Sequence, residues 1–232
     1  MSPRAARLDL AIPGADGPAV IRELIIAGWT GRDADAVERH VAELAKLGVP
    51  RPPTVPCYYR VSASLLTTSH EVDVVGPNTS GEAEAVLFSL ADGLWVGVGS
   101  DHTDRRSEAF DVAVSKQACA KPVGRDVWRY ADVAGHWDRL MLRSYALRPS
   151  GRRQLYQEGP LAKIRPPENL IAGYLGRGGG ALPPGTAMFC GTLAAVAALD
   201  SSTGFEVEIE DPVQGKRISH AYSIHPLPVA RP

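Results

Sequence analysis

A chain of 232 residues with a net charge of −1 and 44% hydrophobic content carries enough apolar material to bury a full core, in one domain or two small ones. That balance argues against a nucleic-acid partner, because no Lys/Arg cluster interleaved with aromatics supplies a basic face. No apolar run reaches the roughly 18 residues of a spanning helix, and "MSPRAARLDLAIPG" lacks an apolar core of signal-peptide length, so a cytoplasmic protein without a membrane partner is expected. The cysteines Cys57, Cys119 and Cys190 are odd in number and lack metal-site spacing, which fits a reducing compartment.

From the N-terminus, "RLDLAI" and "ELIIAGW" read as the first strands. The segment "DADAVERHVAELAKLG" then reads as a helix: Val37, Val41 and Leu44 recur at helical spacing, Asp33 stands at the N-cap, and Gly48 with Pro50 supplies the stop. Next come the strands "EVDVV", "EAVLFSL" and "LWVGVG", and a second helix candidate, "DRRSEAFDVAVSKQ". "MLRSYAL" is a further strand, and "PPENLIAGYLGRG" a third helix that starts with Pro in its first turn and ends in glycines. "AMFCGTL" and "FEVEIED" complete the series. Since no repeat or low-complexity segment divides the chain, the expectation is one β-rich α+β domain with few short helices.

Two strands carry paired glutamates. Side chains alternate across a strand, so Glu82 and Glu84 in "SGEAEAVLFSL" point to one face, where like charges repel unless a cation or open water separates them. Glu206, Glu208 and Glu210 in "FEVEIED" alternate with Val207 and Ile209 and read as a solvated face. The first pair has a sequel: the apolar strand in "LWVGVGSDHTDRR" delivers Asp101 into a polar turn. A hard cation such as Mg²⁺ or Mn²⁺ needs two or three carboxylates converging from different segments, and Glu82, Glu84 and Asp101 can provide them. Each residue alone also fits a bland role, the pair on a solvated edge and the aspartate in an ordinary turn.

The order of these motifs resembles the fumarylacetoacetate hydrolase superfamily, in particular a divergent single-domain bacterial-type member (DUF2848-like). That family carries an E-x-E strand, then an apolar strand ending in a D-x-[ST]-x-R turn; "GEAEAVLF" and "SDHTDR" look like both, with Asp101, Thr103 and Arg105 in register. "SKQACAKPVG" resembles the family's lysine segment through Lys116, Pro122 and Gly124, one residue shorter. "ENLIAGYLGRGG", "LPPGTAMFCGTL" and "FEVEIEDP" resemble the family's C-terminal helix, its T-G-T-P loop and its final strand. The ordered match spans roughly residues 25 to 225.

The resemblance implies a mixed β-roll over residues 1–232, acting as a single catalytic domain with a lid helix at about 33–47. It implies Mg²⁺ or Mn²⁺ held by Glu82, Glu84 and Asp101, catalytic His40, Glu43 and Lys116, and substrate contacts from Arg105, Gln117 and Thr192. His40 and Glu43 in "RHVAEL" match an H-x-x-E dyad on a lid helix; taken alone, they also read as a surface ion pair. The implied activity is metal-dependent hydrolysis of a C–C bond in a small 2-oxo or 1,3-dicarbonyl acid, with decarboxylation, hydration or isomerisation as alternatives. A metal-stabilised binding protein on the same fold is the non-enzyme alternative. The small-molecule partner is a carboxylate substrate, and a homodimer is expected from apolar strands such as "LWVGVG".

The departures fall on Cys119 and its neighbours in the lysine segment and on "CGTL" in the loop, which touches substrate contacts more than metal ligands. Asp33 resembles an extra acidic ligand of some members, but capping ranks first at its position. "GRGGG" reads as a helix-to-strand turn, Cys190 as a buried thiol, His102 as pointing away from Asp101's side, and His136 as a partly buried structural residue.

Overall fold

In the computed structural model, which describes residues 5–46, 51–176, 179–197 and 202–229, the apolar runs gather into two main sheets. Within the first helix, the side chains at positions 40, 44 and 46 lie outside the described residues. One sheet has six strands in the order Trp128–Arg129, Gly93–Ser100, Ala83–Leu90, Thr186–Phe189, Glu23–Gly28 and Cys57–Val61. All its pairs are antiparallel except Thr186–Phe189 with Glu23–Gly28. The other runs Arg153–Pro160, Met141–Leu147, Gly204–Asp211, Lys216–Leu227 and Glu71–Val75, with only the last pair parallel.

The two sheets differ in how their faces are covered, and the sequence patterns follow from that. The strand Ala83–Leu90 is buried along nearly all its length, because Ala85 and Leu87 join Val207 and Ile209 in one core while Val86 and Phe88 join Leu8, Ile21 and Val123 in another. A strand covered on both faces needs a continuous apolar run. Met141–Leu147 instead alternates, burying Leu142 and Ala146 and turning Arg143 outward, as a sheet with one wet face requires. The strand Gly93–Ser100 lies inside the six-stranded sheet with Val96 and Val98 covered by the chain itself, so the apolar surface from which a dimer was expected is absent there.

The glutamates of Gly204–Asp211 depart from the solvated-face expectation at their centre. Glu208 has a side chain only 3% exposed, with Arg143 Nη1 at 3.2 Å, Arg217 Nη1 at 3.4 Å and Arg153 Nη2 at 3.5 Å. Arginines from the two neighbouring strands and from the sheet's edge strand fold over the middle residue and offset its desolvation, while Glu210 stays 40% exposed.

Among the described helices, three begin where an aspartate caps them. Asp33 Oδ1 accepts from the Ala36 N–H at 3.0 Å at the start of Ala34–Lys46, the capping role ranked first above. The second candidate divides into Arg105–Glu108 and Val112–Ala118, because Asp104 and Asp111 each cap a new start, at 2.8 and 3.0 Å. Pro167–Leu175 has proline in its first turn and ends at Gly176 with a φ of 69°, the left-handed region that suits glycine. The stop at Gly48 and Pro50 lies outside the described residues. No helix among the described residues is long and apolar enough to cross a membrane.

Candidate metal centre

The carboxylates meet because of strand register. Ala83 pairs with Ser100 and Glu84 with Gly99, so the next position outward sets Glu82 beside Asp101, whose N–H donates to the Glu82 carbonyl at 3.0 Å. The Glu82 N–H donates to Ser100 Oγ at 3.1 Å, which pins the backbone just before the strand. Glu84, two residues on, shares the face of Glu82. One carboxylate oxygen from each of Glu82, Glu84 and Asp101 lies within 4.8 Å of the others.

Buried cations surround this cluster. Lys116 Nζ contacts Asp101 Oδ2 and stands 3.2 Å from Glu82 Oε2, while Lys121 Nζ stands 2.9 Å from Asp101 Oδ1 and donates to the His102 carbonyl at 2.7 Å. Arg105 bridges Glu82 Oε1 at 2.7 Å and Glu108 Oε2 at 2.6 Å, and its Nε reaches Ser80 Oγ at 2.6 Å. Burial alone would raise the Asp101 and Glu82 carboxyls; the ammonium of Lys116, with Lys121 for Asp101 and Arg105 for Glu82, holds both below the usual range. Glu84 goes the other way. Burial and then the charge of Asp101 push it well above the usual range, and the Gly191 N–H donates to its Oε2 at 2.6 Å.

These residues fit a hard divalent cation. Both Asp101 oxygens are fully buried and, despite the ammonium groups at ion-pair distance, neither receives a well-directed hydrogen bond. An all-carboxylate donor set with such open lone pairs suits Mg²⁺ or Mn²⁺ better than a soft metal. A cation bound there would also offset the burial and the Asp101 charge that push the Glu84 carboxyl up.

The cluster lies in the wall of a cavity of about 1180 Å³. Arg105, Lys116, Gln157 and Thr192 supply its other polar groups, and Trp29, Tyr59, Val112 and Leu193 an apolar flank. Trp29 has a φ of 60°, a sparsely populated conformation for a bulky residue and one that recurs at functional sites. The first helix brings Ala36 and Val37 to the cavity, together with the preceding Arg32 and Asp33. Arg32 fastens that segment to Asp138 at 2.6 Å and to the Ile164 carbonyl at 3.0 Å.

The residues singled out in the sequence divide. Glu82, Glu84, Asp101, Arg105, Lys116 and Thr192 come together at the cavity. Gln117 does not: it is exposed on Val112–Ala118, and its amide oxygen accepts from the Ser62 N–H at 2.9 Å, outside the cavity lining. The His40 side chain lies outside the described residues, and Glu43, one helical turn on, is exposed. His102 points away from the cluster, its ring bonded to Tyr222 Oη and Thr79 Oγ1, both at 2.9 Å; burial lowers it to about 3, so it is neutral. His136 Nε2 is bound to Asp211 at 2.8 Å. Burial pushes the Cys119 thiol up to about 11 and Cys190 higher still, the opposite of an activated nucleophile.

Two residues of the site went unread in the sequence. Lys121 carries one weak signal, a second lysine inside the run "ACAKPVG" that is otherwise apolar enough to be buried. Gln157 carries none, since its partners come from remote segments.

A buried carboxylate cluster neutralised by lysines, at a cavity in a mixed β-roll, is the design of an oxygen-ligand metal site. Residues 27–222 match the model of the family described as "Protein of unknown function (DUF2848)", and the chain belongs to that family. No curated protein matches it. Among solved structures, fumarylpyruvate hydrolase from Pseudomonas aeruginosa in complex with Mn²⁺ and pyruvate is similar, with a TM-score of 0.60 and 17% identity, over 98% of this chain and 97% of that one. A 2-keto-3-deoxyarabinonate dehydratase is similar with a TM-score of 0.63 and 16% identity, over 93% of this chain and 78% of that one. The same dehydratase complexed with magnesium and 2,5-dioxopentanoate gives 0.60 at 16% identity over the same shares. The fold is therefore the α+β, β-rich roll of fumarylacetoacetate hydrolase type.

Proposed function

We propose that this chain, acting as one catalytic domain, is an enzyme dependent on Mg²⁺ or Mn²⁺ that hydrolyses a C–C bond in a small 2-oxo or 1,3-dicarbonyl acid. The observation that carries the reading is the convergence of Glu82, Glu84 and Asp101 beside Lys116 in the wall of the cavity. A divalent cation held there supplies Lewis acidity and a sink for negative charge on the 2-oxo acid. Arg105 and Lys116 add fixed positive charge for the substrate carboxylate and for developing oxyanion charge. Trp29, Tyr59, Val112 and Leu193 enclose the distal acyl group and shield it from bulk solvent.

In this reading His40, oriented by Glu43 three residues along the helix, takes a proton from water as the water oxygen bonds to the distal carbonyl carbon. The C–C bond then breaks with its electron pair passing to the 2-oxo acid fragment, which is finally protonated. The helix Ala34–Lys46 serves as a lid, hinged at the Arg32 anchor. His40→Ala should lower kcat by on the order of 10²-fold, with divalent-metal affinity unchanged. Full turnover in that variant would remove the helix from the chemistry.

Among the other enolate reactions, decarboxylation, hydration and isomerisation, the hydro-lyase direction draws support from the similar dehydratase and gives a second reading, addition or loss of water on a 2-oxo acid. Product analysis by NMR across acylpyruvates, oxaloacetate and 2-keto-3-deoxy acids with Mg²⁺ decides between the two. Cleavage to a carboxylic acid and a 2-oxo acid is expected, and addition or loss of water without cleavage would favour the second. Metal binding is tested separately: chelated protein should gain about 2.7 kcal/mol at a hundredfold excess of Mg²⁺ or Mn²⁺ over Kd. An unmoved melting temperature with both ions would sink the metal site.

A further inference from the structure

The strand that carries the two glutamates loses one of its neighbours at the point where they stand. Thr186–Phe189 pairs with Ser89 through Val86, and the Cys190 N–H still reaches the Ala85 carbonyl at 3.0 Å. Beyond that the chain turns away through Gly191, whose φ of 97° and close approach to Thr30 exclude a side chain; a Cβ there would sit 1.8 Å from Thr30 Oγ1. Ala83, between Glu82 and Glu84, is left with a backbone N–H and carbonyl on a side where the ladder has ended.

Side chains take over that ladder. The Ala83 N–H donates to Gln157 Oε1 at 2.9 Å, and the Ala83 carbonyl accepts from Thr192 Oγ1 at 2.7 Å. Gln157 Nε2 donates to the same Thr192 oxygen at 2.8 Å, which closes a ring around Ala83. The remaining capacity of the amide is also used: Oε1 accepts from Ser144 Oγ at 2.8 Å and Nε2 donates to the Leu193 carbonyl at 2.5 Å. Both donors and both lone pairs of Gln157 are thus engaged, so its amide has one orientation.

The fold is shaped to deliver this residue. The register between Met141–Leu147 and Arg153–Pro160 shifts between Ser144 and Tyr145, so that Ser144 opposes Gln157 while Tyr145 opposes Leu155. The extra residue, Tyr156, forms a bulge that re-aims the neighbouring side chain, a device common beside active sites. Gln157 is 2% exposed.

We infer that Gln157, directly at the Ala83 N–H and through Thr192 at the Ala83 carbonyl, is a positioning residue that sets the separation and direction of the Glu82 and Glu84 carboxylates, and thereby the affinity of the site for a divalent cation. The inference rests on the metal reading proposed above. It assigns Thr192 a different task from the substrate contact expected in the sequence, because its hydroxyl already donates to Ala83 and accepts from Gln157.

The test is isothermal titration of chelated protein with Mn²⁺, paired with the melting temperature of each metal-free variant. Gln157→Leu should weaken Mn²⁺ binding by about 10- to 100-fold, the usual effect of removing an outer-shell partner of a metal ligand. Thr192→Val should weaken it in the same direction, and Thr192→Ser, which restores the hydroxyl, should recover most of the affinity. If Gln157→Leu fails to fold, the Thr192 pair carries the test alone. Variants that melt lower but bind Mn²⁺ as tightly as the wild type would overturn the inference and leave the metal site standing. A wild type that binds no divalent cation would overturn both.

Discussion

Glu84→Gln is expected to abolish the response of the protein to Mg²⁺ and Mn²⁺ and to lower activity by about 10³-fold, while the metal-free variant melts no lower than the wild type. The two halves have different causes. A glutamine keeps an oxygen for the Gly191 N–H, so the loop that carries Thr192 stays attached. It removes a buried carboxylate held within 4.8 Å of two others, and burial together with Asp101 already disfavours the charge of Glu84 without a cation. Losing that charge relieves the metal-free protein and deprives the cation of a ligand. Several kcal/mol of transition-state charge stabilisation is the scale a bound metal supplies, and each 1.36 kcal/mol is tenfold in rate. Differential melting in EDTA and in saturating Mg²⁺, with turnover measured alongside, reads both halves. A variant that melts several degrees lower in EDTA would mean that Glu84 is a structural ion-pair member, and retained turnover would mean that the chemistry needs no cation at this position.

What the sequence showed and what it hid divide along the range of the interactions. Period-2 alternation and an apolar run are local, and they were enough to set Glu82 and Glu84 on one face and Asp101 at the end of the neighbouring strand. The cap at Asp33 is equally local, with its partner three residues away. The division of the second helix at Asp111 was hidden because a cap competes with helix continuation, and the apolar spacing runs through both pieces. Glu208 was misread because its cover comes from Arg143, Arg153 and Arg217 on other strands, which alternation within one strand cannot register. Gln117 and Gln157 make the same point from opposite sides. The first lies next to Lys116 in sequence and turns outward to Ser62; the second is remote in sequence, and a β-bulge carries it to the site. Buried polar groups are satisfied by tertiary partners, so their identity follows from the fold and not from spacing.

Lys121→Met should be the most destabilising substitution near the site, costing about 3 kcal/mol in EDTA, and part of that loss should return in saturating Mg²⁺. Lys121 is fully buried, and its ammonium has two duties: it faces Asp101 Oδ1 at 2.9 Å and donates to the His102 carbonyl at 2.7 Å. A methionine fills much of the volume but leaves that carbonyl unpaired and Asp101 with Lys116 as its remaining buried cation. Removing one partner of a buried ion pair typically costs about 3–5 kcal/mol, and the contact with Lys116 places this case at the lower end. Asp101 is also a proposed ligand, so a divalent cation bound beside it restores positive charge where the lysine was lost. The melting temperature of the variant should therefore rise more on adding Mg²⁺ than that of the wild type does. An equal rise in both would show that Lys121 and the cation act on Asp101 independently. A variant as stable as the wild type in EDTA would show that Lys116 alone neutralises Asp101 and that the Lys121 hydrogen bond to the His102 carbonyl adds nothing to stability.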